Sequence, residues 1–165
     1  MPSTPGMVDV MLASSAQTCL GVVVRLVLGL LLLVSPTLLQ AQNSPVGRWK
    51  TIDDSTGKPK SVVEIYETAD GTLAGRVVAV LDLKNGPNPL CTECEGPNQG
   101  KPIRGLVILW GLKPNGANRW SHGRVLDPEN GRDYKAKLEL QGGGNRLAMS
   151  GCISFLCRQQ IWIRE

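Results

Sequence analysis

Five cysteines, one histidine and a few carboxylates are the side chains of this 165-residue sequence best suited to chemistry, and the cysteines are the most informative. Cys91-Thr92-Glu93-Cys94 has the C-x2-C spacing of a dithiol redox pair or of half a zinc site, and Cys152 and Cys157 form a C-x4-C pair. A redox pair needs a thiolate stabilised at a helix N-terminus. Gly86-Pro87-Asn88-Pro89 before the pair and Gly96-Pro97-Asn98 after it oppose a helix, and Glu93 and Glu95 would raise a thiol pKa. A four-thiolate zinc site suits the first pair better than the second. Four cysteines in an exported domain favour disulfides instead, and three pairings are open to them that sequence alone cannot separate. Local bridges, Cys91–Cys94 and Cys152–Cys157, are the expectation because each pair falls in a loop. Crossed bridges would close rings of about sixty residues and restrict the unfolded chain more.

His122 is the only histidine, so a Ser-His-Asp hydrolase would have to use it, with Asp127 and some serine. The Gly-x-Ser-x-Gly elbow that exposes such a serine is missing. By alternation His122 shares a face with Trp120 and Arg124. Asp53-Asp54 and Asp127 sit in turn sequences, where aspartate caps the backbone. Glu64 alternates with Val62 and Tyr66, so it is a candidate to point inward, where a buried carboxylate would be functional. No catalytic residue, metal ligand or cofactor is assigned on these grounds.

The elements that position these residues begin after a segment of different composition. Arg25 is followed by nine apolar residues, Leu26–Val34, then by Ser35-Pro36 and by Leu39-Gln40-Ala41. A basic flank, a short apolar core and a small residue shortly after it form the secretory pattern. A spanning helix needs about 20 apolar residues, and Arg25 and Pro36 bound a shorter stretch. Residues 1–41 are therefore read as a signal peptide cut after Ala41. Residues 42–165 are read as one domain, periplasmic or secreted, with no stable membrane anchor after cleavage. Cys19 departs with the signal, which leaves the four cysteines already paired. Asp9 and Arg25 leave too, so 18 − 1 = 17 Lys/Arg and 14 − 1 = 13 Asp/Glu remain and the net charge stays +4. Those charges alternate in sign along the chain, whereas a nucleic-acid binder concentrates its basic residues. Nucleic acid is excluded as a partner.

The domain reads as short strands divided by turn signals, among them Asp70-Gly71, Pro114-Asn115-Gly116 and Asp127-Pro128-Glu129-Asn130-Gly131. About eight strands at roughly ten-residue spacing predict an all-β sandwich or antiparallel up-and-down barrel. Tyr134, Ala136, Leu138 and Leu140 alternate with charged or polar neighbours, giving one buried and one wet face. By the same count Leu73, Val77, Ala79 and Leu81 share a face. In the last strand Ile161 and Ile163 oppose Gln160, Trp162 and Arg164, and either set could face inward.

Several motifs in order resemble one bacterial family: Lys101-Pro102-Ile103-Arg104-Gly105-Leu106, Trp120-Ser121-His122-Gly123, Asp127–Tyr134, and Gly151-Cys152 through Cys157-Arg158-Gln159-Gln160-Ile161-Trp162-Ile163-Arg164. That family is called domain of unknown function 2147, and the resemblance covers essentially all of residues 42–165. It implies an exported protein with a small lipocalin-like barrel and no assigned function. Gly47-Arg48-Trp49 is also similar to the Gly-x-Trp opening of lipocalins. That similarity implies a structural role for Gly47 and Trp49, with Arg158 or Arg164 as a late arginine packed on the indole.

Four tryptophans against a single phenylalanine suggest indole N–H groups with polar partners. The reading that follows is a non-enzymatic module binding a small apolar or amphipathic molecule, with Trp110, Trp120, His122, Arg124 and Tyr134 lining the interior or its mouth. The alternatives are an envelope interaction module with a filled barrel and, third, an enzyme acting on envelope material through His122 or Glu64. One prediction follows directly from the leader. The intact mass of the exported protein should place its N-terminus at Gln42, and an exported chain that keeps residues 1–41 would contradict the signal assignment.

Overall fold

The computed structural model describes residues 44–165; the predicted signal peptide, residues 1–41 with Cys19, lies outside them. Eight strands follow in order: β1 (Gly47–Ile52), β2 (Pro59–Glu67), β3 (Leu73–Val80), β4 (Val107–Pro114), β5 (Arg119–Asp127), β6 (Arg132–Gln141), β7 (Arg146–Ile153) and β8 (Leu156–Arg164). Each pairs antiparallel with the next, and β1 pairs with β8 through Trp49↔Arg164 and Lys50↔Ile163, so the sheet closes into a barrel. Closure leaves no strand with a free edge. The expected all-β, up-and-down architecture is what the chain forms.

Register fixes which side chains face inward. On β6 the alternating Ala136, Leu138 and Leu140 are buried and lie opposite Gly151, Met149 and Leu147 of β7. Those three in turn lie opposite Arg158, Gln160 and Trp162 of β8. The undecided face of the last strand is thereby assigned: Trp162 is 1% exposed and points inward, while Ile163 is 38% exposed on the outside. Sequence alone could not choose, because a tryptophan and two isoleucines compete on opposite faces.

Two bulges break the simple alternation. Val62 pairs with Ala79 but Val63 with Val77, so Val78 is an extra residue. Inward positions therefore run Leu73, Gly75, Val77 and then Val80, which corrects the expectation that Val77, Ala79 and Leu81 share a face. On β5, Trp120 pairs with Leu138 but Gly123 with Ala136. The surplus residue sits at Ser121-His122, where His122 has φ +66°. Trp120 thus shares the inner face with Gly123, whereas Arg124 points outward; the three residues expected on one face are split. Glu64 also faces out, held by Arg76 at 2.8 Å, so it is not the inward carboxylate considered from sequence.

One end of the barrel is sealed by a tryptophan and an arginine. Trp49 is fully buried and donates its indole N–H to the Pro45 carbonyl at 2.7 Å. The Arg164 guanidinium lies 4.2 Å from the centre of the Trp49 ring and donates to the carbonyls of Gly144, Ser44 and Val46. Partial burial lowers the guanidinium pKa. Gly47 has φ +129°, a conformation that favours glycine, and a Cβ there would sit 3.1 Å from an Arg164 nitrogen and press on the guanidinium. Of the two arginines proposed for the indole, Arg164 occupies the position; Arg158 lies near the opposite end, paired with Asp54.

That opposite end carries the longer connections and both disulfides. Cys91 is bonded to Cys94 within the long connection, and Cys152 to Cys157 across the β7–β8 ladder rather than in a loop as expected, so the sulfurs are joined pairwise instead of gathered around one metal. Segment 81–106 folds back on itself through Cys91 N–H to Lys101 O at 2.8 Å and Ile103 N–H to Pro89 O at 2.9 Å. It packs on the β5–β6 turn so closely that a Cβ on Gly131, whose φ is +70°, would lie 1.8 Å from the Glu93 carbonyl oxygen.

The two arginines should separate cleanly in unfolding experiments. Arg164→Ala removes a stacked cation and three charge-assisted hydrogen bonds and should cost about 2–3 kcal/mol in urea denaturation. Arg158→Ala breaks an exposed ion pair and should cost less than about 1 kcal/mol. Equal losses would contradict the assignment of Arg164 as the closure.

Candidate functional site

Inward positions on the sealed half are large: Trp49, Leu73, Leu112, Leu138, Leu140 and Leu147 are all buried in one cluster. Toward the other end the inner face turns to smaller or polar residues, and a cavity of about 540 Å³ remains. It reaches the connections β1–β2, β3–β4 and β5–β6, which lie at the end away from Trp49. The interior is therefore not packed solid at that end. The volume falls within the range of sites for small organic molecules, about 300–1,000 Å³.

The lining mixes apolar and polar side chains. Val77, Val125, Met149 and Trp162 belong to its apolar part, and Val80, Ile103 and Leu126 carry that part to the open end. Thr51 and Ser61, on paired positions of β1 and β2, join their hydroxyls at 2.8 Å. On β8 a polar rail runs outward from the buried indole. Trp162 Nε1 donates to Gln160 Oε1 at 3.3 Å, Gln160 Nε2 donates to Asp54 Oδ2 at 3.4 Å, and Arg158 donates to the same oxygen at 2.8 Å. The i, i+2 spacing of Arg158, Gln160 and Trp162 puts all three on one face of the strand. Across the mouth Asn130 donates from one amide nitrogen to the Tyr134 hydroxyl and to Asp127 Oδ2, both at 3.0 Å. Among the described residues no buried side-chain nitrogen or oxygen lacks a partner.

Charges gather at the mouth. Asp53, Asp54, Asp82, Asp127 and Glu129 contribute to the lining, with Lys60, Lys84 and Arg158 as counterions. Lys60 meets Glu129 at 2.7 Å and Lys84 meets Asp82 at 3.1 Å. The backbone N–H of Lys84 and its ammonium lower the Asp82 pKa. Asp53 is different in kind: hydroxyl hydrogen bonds from Ser55 and Thr56, with their backbone N–H groups, hold its carboxyl far below the usual carboxylate range. This is a turn cap, and it fixes the β1–β2 connection that carries Asp54.

Of the five residues nominated from sequence, Tyr134 lines the cavity. Trp120 faces inward and is half-buried against the core nearer the sealed end. Trp110 and Arg124 form an outward cross-strand pair, with Trp110 exposed and Arg124 bound to Asp133. His122 is exposed at the bulge, its Nδ1 2.8 Å from the Ser121 hydroxyl. The structure therefore does not bring the five together. Thr51, Ser61, Met149, Gln160 and Trp162 were missed. The available signal was Trp49: once it faces inward across from Arg164, the two-residue period requires Trp162 and Gln160 to do so as well.

Comparison with known proteins agrees with this geometry. Residues 47–164 match the model of a family described as uncharacterised proteins conserved in bacteria, domain of unknown function 2147. The chain belongs to this family. Members of domain of unknown function 2147 have no assigned activity to transfer, and no curated protein matches the chain. Among solved structures, the chain is similar to protein HP1028 from the human pathogen Helicobacter pylori, described as belonging to the lipocalin family. The TM-score is 0.64 at 17% identity, over 74% of this chain and 83% of that one. At that identity the likeness speaks to the fold, a lipocalin-like barrel.

The Asp53 cap gives a pH dependence of known sign. A carboxyl whose pKa falls on folding stabilises the folded state above its unfolded value of about 3.9, and that contribution fades as pH drops toward the folded value. The urea midpoint of Asp53→Ala should therefore lie below that of the wild type at about pH 7, with the gap narrowing by about pH 3. A gap independent of pH would contradict the capping role.

Proposed function

We propose that this chain is an exported binding protein that holds one small amphipathic molecule inside its barrel. The apolar part of the ligand lies against Trp162, Met149, Val125 and Val77, and its polar end meets Gln160, Tyr134 and the Asp54–Arg158 pair at the mouth. The observation that carries this reading is the cavity of about 540 Å³ at the end away from Trp49, lined by apolar and hydrogen-bonding side chains together. The gain from ligand burial scales at about 25 cal/mol per Å² of apolar surface, and the fixed polar groups supply orientation. Two local disulfides and membership of a bacterial family support an oxidising, exported setting. Binding is favoured over catalysis because the mouth carboxylates are engaged in ion pairs and turns, and His122 lies outside the cavity lining.

Gly151 offers a direct test. A Cβ built there meets Val125 and Tyr134 at 3.5 and 3.6 Å, ordinary contact distances, so a larger side chain enters the cavity without a clash at its root. Native mass spectrometry of gently purified protein should show a co-purifying small molecule, or binding of anilinonaphthalene sulfonate supplied as a probe. Gly151→Leu should weaken that binding at least about tenfold, the loss of roughly 1.4 kcal/mol. Equal probe binding by both proteins, with no co-purifying molecule, would reject the proposal.

A further inference from the structure

The single phenylalanine of the chain does not serve the core. Phe155 is 88% exposed at the β7–β8 turn, between Ile153 at 62% and Leu156 at 69%. Ile153 and Leu156 are the last paired residues of the hairpin, and Cys152 and Cys157, directly opposite each other behind them, are bonded. The disulfide thus holds a four-residue apolar tip in place, with Ser154 in the left-handed region at φ +54°. Burying such side chains is strongly favourable, and here three project from one clamped turn. The tip belongs to the same end of the barrel as the cavity mouth, whose wall includes Gly151 and Arg158 just behind it. The long connection over that end exposes two more leucines, Leu83 and Leu90.

We propose that this tip is a docking site for an anionic phospholipid surface. Size favours lipid over protein. A stable protein interface buries about 800 Å² on each partner, far more than a four-residue turn presents. Insertion of a few apolar side chains to headgroup depth needs no such area. Charge favours an anionic surface. Lys135 lies across the ladder from Cys152, and Arg132 opens the same strand; both are exposed and neither forms an ion pair among the described residues. Of the five mouth carboxylates, Asp54, Asp82 and Glu129 are paired with Arg158, Lys84 and Lys60, while Asp53 and Asp127 are held in turn hydrogen bonds. The basic pair Arg132 and Lys135 beside the tip, not the mouth as a whole, therefore supplies the attraction. Basic residues beside an apolar anchor add electrostatic attraction to anionic headgroups that salt screens. Docked in this way, the barrel presents its open end to the membrane. The proposal does not depend on the cavity being occupied.

The test is flotation of the exported chain, its N-terminus mapped by intact mass, with phosphatidylcholine vesicles containing phosphatidylglycerol at low ionic strength. Wild type and Gly151→Leu should both float with the vesicles, which separates this idea from ligand binding. Phe155→Ser with Leu156→Ser should lower the floating fraction at least about tenfold while leaving the thermal midpoint unchanged, because both side chains are exposed. Lys135→Glu with Arg132→Glu should weaken binding to phosphatidylglycerol vesicles and leave pure phosphatidylcholine little affected. A wild-type protein that stays at the bottom of the gradient, or a double serine variant that floats equally well, overturns the proposal. So does a tip substitution whose sole effect is to convert a dimer to a monomer in sedimentation, which would make a second copy the occupant.

Discussion

The seam between β1 and β8 is the constraint on which the molecule depends. It is the one pairing that joins the two ends of the barrel sequence, and its ladder is short, Trp49↔Arg164 and Lys50↔Ile163. Side chains strengthen it: Arg164 lies over the Trp49 ring and reaches carbonyls of the N-terminal segment and of the β6–β7 turn. With Trp49 turned inward, the two-residue period of β8 sends Trp162, Gln160 and Arg158 along the inner wall. The closure at one end therefore dictates the chemistry of the cavity at the other. Gly47 belongs to the same device, since any side chain there would press on the guanidinium.

The barrel's asymmetry follows from residue size. Near the seam, inward positions hold tryptophan and leucine and the interior is full. Farther along, Gly151, Thr51 and Ser61 leave room, and their polar atoms are paired along the wall. The end that holds the cavity also carries the long loop, the disulfides and the apolar hairpin tip. Closure and cavity are thus placed at opposite ends of one sheet, an arrangement that lets the loops vary without loosening the closure.

Much of the fold was legible in the sequence. Turn chemistry at Asp70-Gly71 and at Asp127–Gly131 marked hairpins, and the clean alternation of β6 gave its inner face correctly. Local pairing of the cysteines was expected from loops, which holds for Cys91–Cys94, whereas Cys152 and Cys157 are opposed strand residues of a hairpin. Site residues were harder to read for a specific reason. Bulges at Val78 and at Ser121-His122 each insert one residue, and a one-residue slip turns every later side chain to the other face. Arg124 was placed inside by a count that ran through His122, yet it faces out with Trp110. On β8 both faces are apolar enough to be core, and only closure against β1 decides between them.

The central claim is that a small amphipathic molecule lodges between Trp162 and the mouth. It is tested most directly by following indole and side-chain amide resonances of the nitrogen-15-labelled protein during titration with anilinonaphthalene sulfonate. The indole N–H of Trp162 and the amide of Gln160 should shift with a common saturation curve while the outward indole of Trp110 stays fixed. Movement of Trp110 alone, or no movement of Trp162 at saturating probe, would contradict the account.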